Sequence, residues 1–183
     1  MRVYKIEGII LKRIRFGEAD LLLTVFTPHH GKCRLLAKGA RKITSKKGGS
    51  LELFNLIKAN VAKGRNLDLI TEVEAIETFK IWKKNLKKVA RAYQFCEIVD
   101  KLSAEGAPSQ VTFELLKNIL GSLCSEESEE SLKVFQTRLL EELGFWPRDR
   151  KNENFNPEVY IEDLIEKKLK SREFMRQINN LQK

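Results

Sequence analysis

The hydrophobic period of this chain changes once. Up to Phe79 apolar residues recur mainly at every second position, and from Lys80 onward they recur every three or four. A single switch of this kind excludes a pure helical bundle, a pure sheet protein and a repeated β–α unit. It calls for a β part followed by an α part.

The β part reads as five strands. Val3 to Ile14 alternates, with Tyr4, Ile6, Ile9/Ile10 and Ile14 against Lys5, Glu7, Lys12 and Arg13. Leu21 to Thr27 is an apolar run, and Pro28-His29-His30-Gly31 turns it into Lys32 to Ala37, a hairpin. Gly39 to Ser50 is a loop of Gly, Ser and Lys. Leu51 to Ala62 resumes a strand, Lys63-Gly64-Arg65-Asn66 turns, and Leu67 to Phe79 completes the set. Five strands in about 75 residues favour a small closed barrel, because closure removes unpaired edges. The expected units are a barrel over 1–79 and a helical part over 80–183.

In the second part Trp82, Leu86, Val89, Tyr93 and Cys96 fall on one helical stripe. Lys83, Lys84, Lys87, Lys88 and Arg91 fall opposite, which predicts a cationic outer face. Gly106-Ala107-Pro108 breaks this helix, and Ser109 caps a second that carries Val111, Leu115, Leu116, Ile119 and Leu123. A third runs from about Ser128 to Leu143, with Glu129 and Glu130 in its first turn, and Gly144 and Pro147 stop it. Asn156-Pro157-Glu158 opens a fourth. Ser171 opens a fifth that carries Phe174, Met175, Ile178 and Leu181.

The charge is uneven. The 183 residues carry +9, with a pI near 9.5. Residues 1–80 hold 16 basic and 8 acidic side chains, and residues 111–147 hold 3 and 7. Between Asp20 and Glu52 no acidic residue occurs, while Lys32, Arg34, Lys38, Arg41, Lys42, Lys46 and Lys47 do. Surfaces without an anionic partner usually mix signs, so this gap points to a nucleic-acid surface. Single strands bind such barrels through a cationic groove and stacking aromatics. Lys12, Arg13 and Arg15 extend the cations. Phe16, near a turn, is the stacking candidate, whereas Tyr4, Phe26 and Phe54 are expected in the core.

Catalytic constellations are absent. His29 or His30 with Cys33 falls short of the four ligands of a closed zinc site. Cys96 and Cys124 stand alone in helices and are expected in the core. Lys47-Gly48-Gly49-Ser50 is a flexible loop and not a phosphate loop. Glu126, Glu127, Glu129 and Glu130 read as a solvated helix start. The expectation is no enzyme activity, no metal and no cofactor. The longest apolar run, Leu21 to Phe26, is interrupted by Thr24 and cannot span a bilayer. Three widely spaced cysteines suggest reduced thiols and a cytoplasmic protein.

Glu7-Gly8-Ile9-Ile10-Leu11-Lys12, Phe16-Gly17-Glu18-Ala19-Asp20 with Leu21-Leu22-Leu23-Thr24, and Gly31-Lys32 leading to Ala37-Lys38-Gly39-Ala40-Arg41-Lys42 resemble the RecO recombination-mediator family. Leu139-Leu140-Glu141-Glu142-Leu143-Gly144-Phe145 resembles the end of its helical core. The likeness covers residues 1 to about 147. It implies an α+β protein, an N-terminal OB-fold barrel followed by a helical bundle. It implies binding of single- and double-stranded DNA, annealing of complementary strands, and partnership with RecR and the single-strand-binding protein in loading RecA, close to the nucleoid. The family's basic run falls on Lys38, Arg41 and Lys42, with Lys32 and Arg34 on the strand before. Arg138 beside Phe135 and Leu139 is one candidate pocket for the partner's acidic, apolar C-terminal tail, with a buried helix contact as the alternative reading of these residues. Many members carry a four-cysteine zinc module after the Leu-Gly-aromatic stretch. No cysteine follows Cys124, so no zinc is carried over, and a helical tail over 157–183 is expected in its place. An RNA-binding barrel of the ribosome or RNA metabolism is the alternative reading of the barrel and its charge, and a nuclease using the Glu cluster is a third.

Overall fold

The structure, a computed structural model, describes residues 2–124, 129–146 and 155–181. Glu126, Glu127, Pro147 and Lys183 lie outside the described residues. Strands β1 (Val3–Phe16), β2 (Asp20–Thr27), β3 (Gly31–Ala37), β4 (Leu56–Ala62) and β5 (Asp68–Glu77) close into a barrel in the order β1-β2-β3-β5-β4. All pairings are antiparallel except β3 with β5. This five-stranded barrel is the OB fold. Helices follow: α1 (Lys80–Lys83), α2 (Leu86–Leu102), α3 (Gln110–Ser122), α4 (Glu129–Glu142), α5 (Pro157–Leu164) and α6 (Lys170–Leu181).

The alternation of β1 serves two cores. Ile6 and Ile10 join Leu21, Leu23, Val25, Leu35, Ile57, Val61 and Ile70 inside the barrel. Ile9 and Leu11 face outward, where Phe26, Leu56 and helical residues including Trp82, Phe95, Ile98, Phe113, Leu116 and Phe135 share a second core with them. A bulge puts Ile10 opposite Val25 and Lys12 opposite Thr24, with Leu11 as the extra residue. Beyond it β1 runs on to Phe16 as an exposed arm, two residues further than alternation predicts.

The segment before β4 departs from expectation. Leu51 to Asn55 is not strand: Phe54 takes a left-handed φ of 72°, and Leu51 turns inward to fill the barrel. Asn55 is fully buried and donates to the carbonyls of Gly49 and Ser50, at 3.3 and 2.9 Å.

The helix expected from Lys80 onward is broken. Asn85 caps α2, its Oδ1 accepting from the N–H groups of Lys87 (3.0 Å) and Lys88 (3.2 Å). An Asn before Leu-Lys-Lys was the available signal. The predicted stripe also shifts. Trp82 and Cys96 are buried, but Leu86 and Tyr93 are exposed. The buried face of α2 is Ala90, Ala92, Phe95, Cys96, Ile98, Val99 and Leu102, wide because the helix packs against β1, α3 and α6 together. Cys124 is exposed, contrary to expectation, because it lies just past the end of α3. The caps at Ser109 and Asn156 form as read. Gly144, at φ 75°, ends α4, and Phe145 N–H returns to the Leu140 carbonyl at 2.9 Å.

The barrel docks on the helices at the start of β3. Gly31 has φ 63°, and a Cβ there would lie 2.2 Å from the Ala107 carbonyl oxygen, so both backbone shape and space demand glycine. Gly106 N–H donates to the Lys32 carbonyl at 3.1 Å.

Candidate nucleic-acid interface

The cations read from the sequence separate into three sets. The first lies at the far end of β3 and the tip of the β1–β2 hairpin. Arg13, Arg15, Lys38, Arg41, Lys42 and Lys46 are all exposed. The two segments are pinned together. Arg41 N–H donates to the Ala19 carbonyl at 2.8 Å, and its guanidinium to the Glu18 carbonyl at 3.0 Å. Asp20 Oδ1 accepts from Gly39 N–H at 2.8 Å, which turns the local carboxylate inward. The result is a rigid cationic edge. Phe16 stands on it, 49% exposed, whereas Phe26 and Phe54 are in the core and Tyr4 is half-buried, its hydroxyl donating to Asp68. Ile43, fully exposed beside Arg41 and Lys42, was not singled out from the sequence. A lone isoleucine inside a Gly, Ser and Lys loop was the signal.

The second set faces the seam between barrel and helices. Lys12 and Arg34 are exposed and flank Thr24 across the sheet. Asp100 and Glu105 close the shallow cavity that they line. Their charge is partly offset there.

The third set is spent inside the molecule. The Lys32 ammonium donates to the Asp100 carbonyl and sits 3.5 Å from its carboxylate. Lys47 donates to the Ile70 carbonyl at 3.1 Å. Lys83 donates to Asn55 Oδ1 at 2.6 Å, and burial pulls its ammonium below the ordinary lysine value although Glu52 and Glu77 act the other way. Lys88 donates to the Leu123 carbonyl at 2.7 Å, and Arg91 to Gln94 Oε1 at 2.8 Å. Of the predicted cationic face of the first helix, only Lys84 and Lys87 stand exposed. The face fails because α1 and α2 are separate helices whose lysines reach to neighbouring carbonyls.

The predicted tail pocket does not form either. Phe135 and Leu139 are buried in the helical core, while Arg138 is exposed on another face. Cavities do exist beside the helices. One, of about 430 Å³, has Leu11, Tyr93 and Phe174 on its walls and Lys12, Lys101 and Lys170 among its lining. Another, of about 510 Å³, lies between α2, α4, α5 and α6.

Burial pushes the Cys96 thiol far above the ordinary range, with Asp100 adding to it, and burial raises Cys33. Among the described residues no group of three or more His, Cys, Asp or Glu is placed to hold a metal ion, and no helix is long and apolar enough to cross a membrane.

The model of the N-terminal part of recombination protein O matches residues 1–79, and that of its C-terminal part matches residues 83–151. The chain belongs to the RecO family. A DNA repair protein RecO from Pelotomaculum thermopropionicum is 31% identical over 147 residues, 80% of this chain and 57% of that protein. One from Roseiflexus is 36% identical over 148 residues, 80% of this chain and 52% of that protein. One from Trichodesmium erythraeum is 39% identical over 139 residues, 76% of this chain and 48% of that protein. The chain thus spans about half the length of these relatives. Among solved structures, a chain of the S. pombe Stn1-ten1 complex aligns at a TM-score of 0.34 with 17% identity, over 52% of this chain and 76% of that one, too loose a likeness to argue from. In the segments 13–20 and 38–46 that carry this edge, the acidic residues are the exposed Glu18 and the half-buried Asp20.

Proposed function

We propose that this chain is a non-enzymatic recombination mediator that binds single- and double-stranded DNA along the cationic edge of its barrel and anneals complementary strands. The observation that carries the reading is the pinned edge itself: six exposed cations on two segments locked together by Arg41, with Phe16 beside them. Phosphates bind the cations, and exposed bases stack on Phe16. Membership in a recombination-protein family favours DNA over the RNA reading. The working units are the barrel over 1–79 and the helical part over 80–183.

RecR, the single-strand-binding protein and, through them, RecA are the partners in this reading, with action at the nucleoid. The acidic, apolar tail of the single-strand-binding protein fits the cavity of about 430 Å³ better than the buried Phe135 and Leu139. Its apolar end would meet Tyr93 and Phe174, and its carboxylates Lys12, Lys101 and Lys170. Of the two carboxylates in that lining, Glu97 is occupied by the N–H groups of Lys170 and Ser171, at 3.0 and 2.8 Å, and Asp100 by Lys32.

The test is annealing of complementary oligonucleotides with and without the single-strand-binding protein. The expected result is faster annealing, with a salt slope on single strands near −4 if about six phosphates are neutralised. Joint charge reversal of Lys38, Arg41 and Lys42 should lower DNA affinity about 100-fold and leave the fold intact. A flat salt dependence, or full annealing by that variant, would refute the reading.

A further inference from the structure

The cavity of about 510 Å³ between α2, α4, α5 and α6 has no part in the reading above. Four cations line it: Lys87 and Arg91 from α2, Lys133 from α4 and Arg172 from α6. One carboxylate, Glu158 at the start of α5, lies among them. A chain of hydrogen bonds and an ion pair holds the two arginines in place. Arg91 donates to Gln94 Oε1 at 2.8 Å, Gln94 Nε2 donates to Glu158 Oε1 at 2.9 Å, and Arg172 Nε lies 3.8 Å from Glu158 Oε2. Arg172 is further anchored by Glu162 at 2.8 Å. The guanidinium groups are therefore oriented before any ligand arrives, which lowers the entropic cost of binding.

A second, independent feature is Gln136. Its side chain is buried, it lines the same cavity, and its Nε2 has no hydrogen-bond partner. A buried N–H₂ without an acceptor is unfavourable, so an acceptor-rich ligand recovers free energy there. Leu132 and Met175 supply an apolar wall next to the cations. Multiple cations, an unsatisfied amide donor and an apolar wall match a group with several anionic oxygens joined to a flat, weakly polar body. The volume lies within the range of about 300–1,000 Å³ usual for small-molecule sites.

We propose that this cavity binds a nucleoside phosphate, with the phosphates on Lys87 and Lys133, the Gln136 amide donating to an acceptor, and the base against Leu132 and Met175. The same chemistry is offered by a free nucleotide and by the phosphorylated 5′ end of a strand. The site uses none of the barrel's exposed cations.

Calorimetric titration of the full chain with ATP, with a 5′-phosphorylated trinucleotide and with its 5′-hydroxyl counterpart tests this. Saturable binding of ATP or of the phosphorylated trinucleotide is expected, and the stronger of the two identifies the source. Joint Lys87→Glu and Lys133→Glu should weaken it at least about tenfold, while Gln136→Leu weakens it with retained helical circular dichroism. Reversal of Lys38, Arg41 and Lys42 should leave it unchanged, which separates this site from the DNA edge. No saturable binding, equal binding of the 5′-hydroxyl trinucleotide, unchanged affinity in the Lys87/Lys133 variant, or displacement of ATP only by an acidic peptide would overturn the proposal.

Discussion

The two ends of β3 carry similar residues and do opposite things. At its start, Gly31 and Lys32 are pressed against the segment from Asp100 to Ala107, with the ammonium of Lys32 consumed by Asp100. Past its end, Gly39 and Lys38 sit on an open edge where the cations point to solvent. A lysine is a docking pin or a ligand-binding group according to what the fold places across from it. Burial next to a carboxylate or carbonyl uses up the charge, and distance from carboxylates leaves it available.

The largest effect expected from this contrast is at glycine. Gly31→Ala should cost about 3 kcal/mol or more, because left-handed backbone strain adds to a clash with the Ala107 main chain. Gly17→Ala, at φ 54° on the open hairpin tip with nothing within 4 Å, should cost about 1–2 kcal/mol from strain alone. Denaturant unfolding of the two variants measures this. Equal losses would mean that the two ends are not differently packed.

Next comes the lysine pair. Lys32→Met should lower stability by about 1–3 kcal/mol, since it leaves Asp100 without its cation at a half-buried seam, and should hardly change DNA affinity. Lys38→Met should do the reverse: unfolding within about 0.5 kcal/mol of the parent, with weaker DNA binding and a shallower salt slope. Unfolding curves and salt-dependent binding of both variants separate the roles. A large loss of DNA affinity in Lys32→Met would place Lys32 with the open edge.

This contrast also marks where sequence reasoning stops. Alternation and turn residues sufficed for the five strands, and Ser109, Gly144 and Asn156 for three helix ends, because those signals are local. Lys32 and Lys38 are alike in sequence. Only the docking of α2 on the barrel brings Asp100, 68 residues away, onto the first. The cationic helix face failed for the same reason, since the acceptors of Lys83 and Lys88 are Asn55 and the Leu123 carbonyl. Phe135 and Leu139 looked like a pocket wall because periodicity identifies an apolar face without saying whether a neighbouring helix covers it.

The smallest effect is expected at the rim of the docked end, where the Tyr4 ring lies 5.3 Å from that of His30. The Tyr4 hydroxyl donates to Asp68 Oδ2 at 2.6 Å, and Gly64 N–H to Oδ1 at 3.0 Å. Partial burial alone would raise the Asp68 carboxyl, but these two donors, with Lys63 nearby, hold it below its ordinary value. A carboxyl depressed in the folded state contributes stability above its unfolded value, about pH 4, and loses it as the pH falls through the folded value. Tyr4→Phe removes one donor and moves the folded carboxyl back up. Its melting temperature should therefore fall slightly below the parent's near neutral pH, and the gap should narrow below about pH 4. Asp68 is half-buried, so screening by water keeps the difference small. A gap that stays constant as the pH falls would mean that the hydroxyl's contribution does not depend on the charge of Asp68.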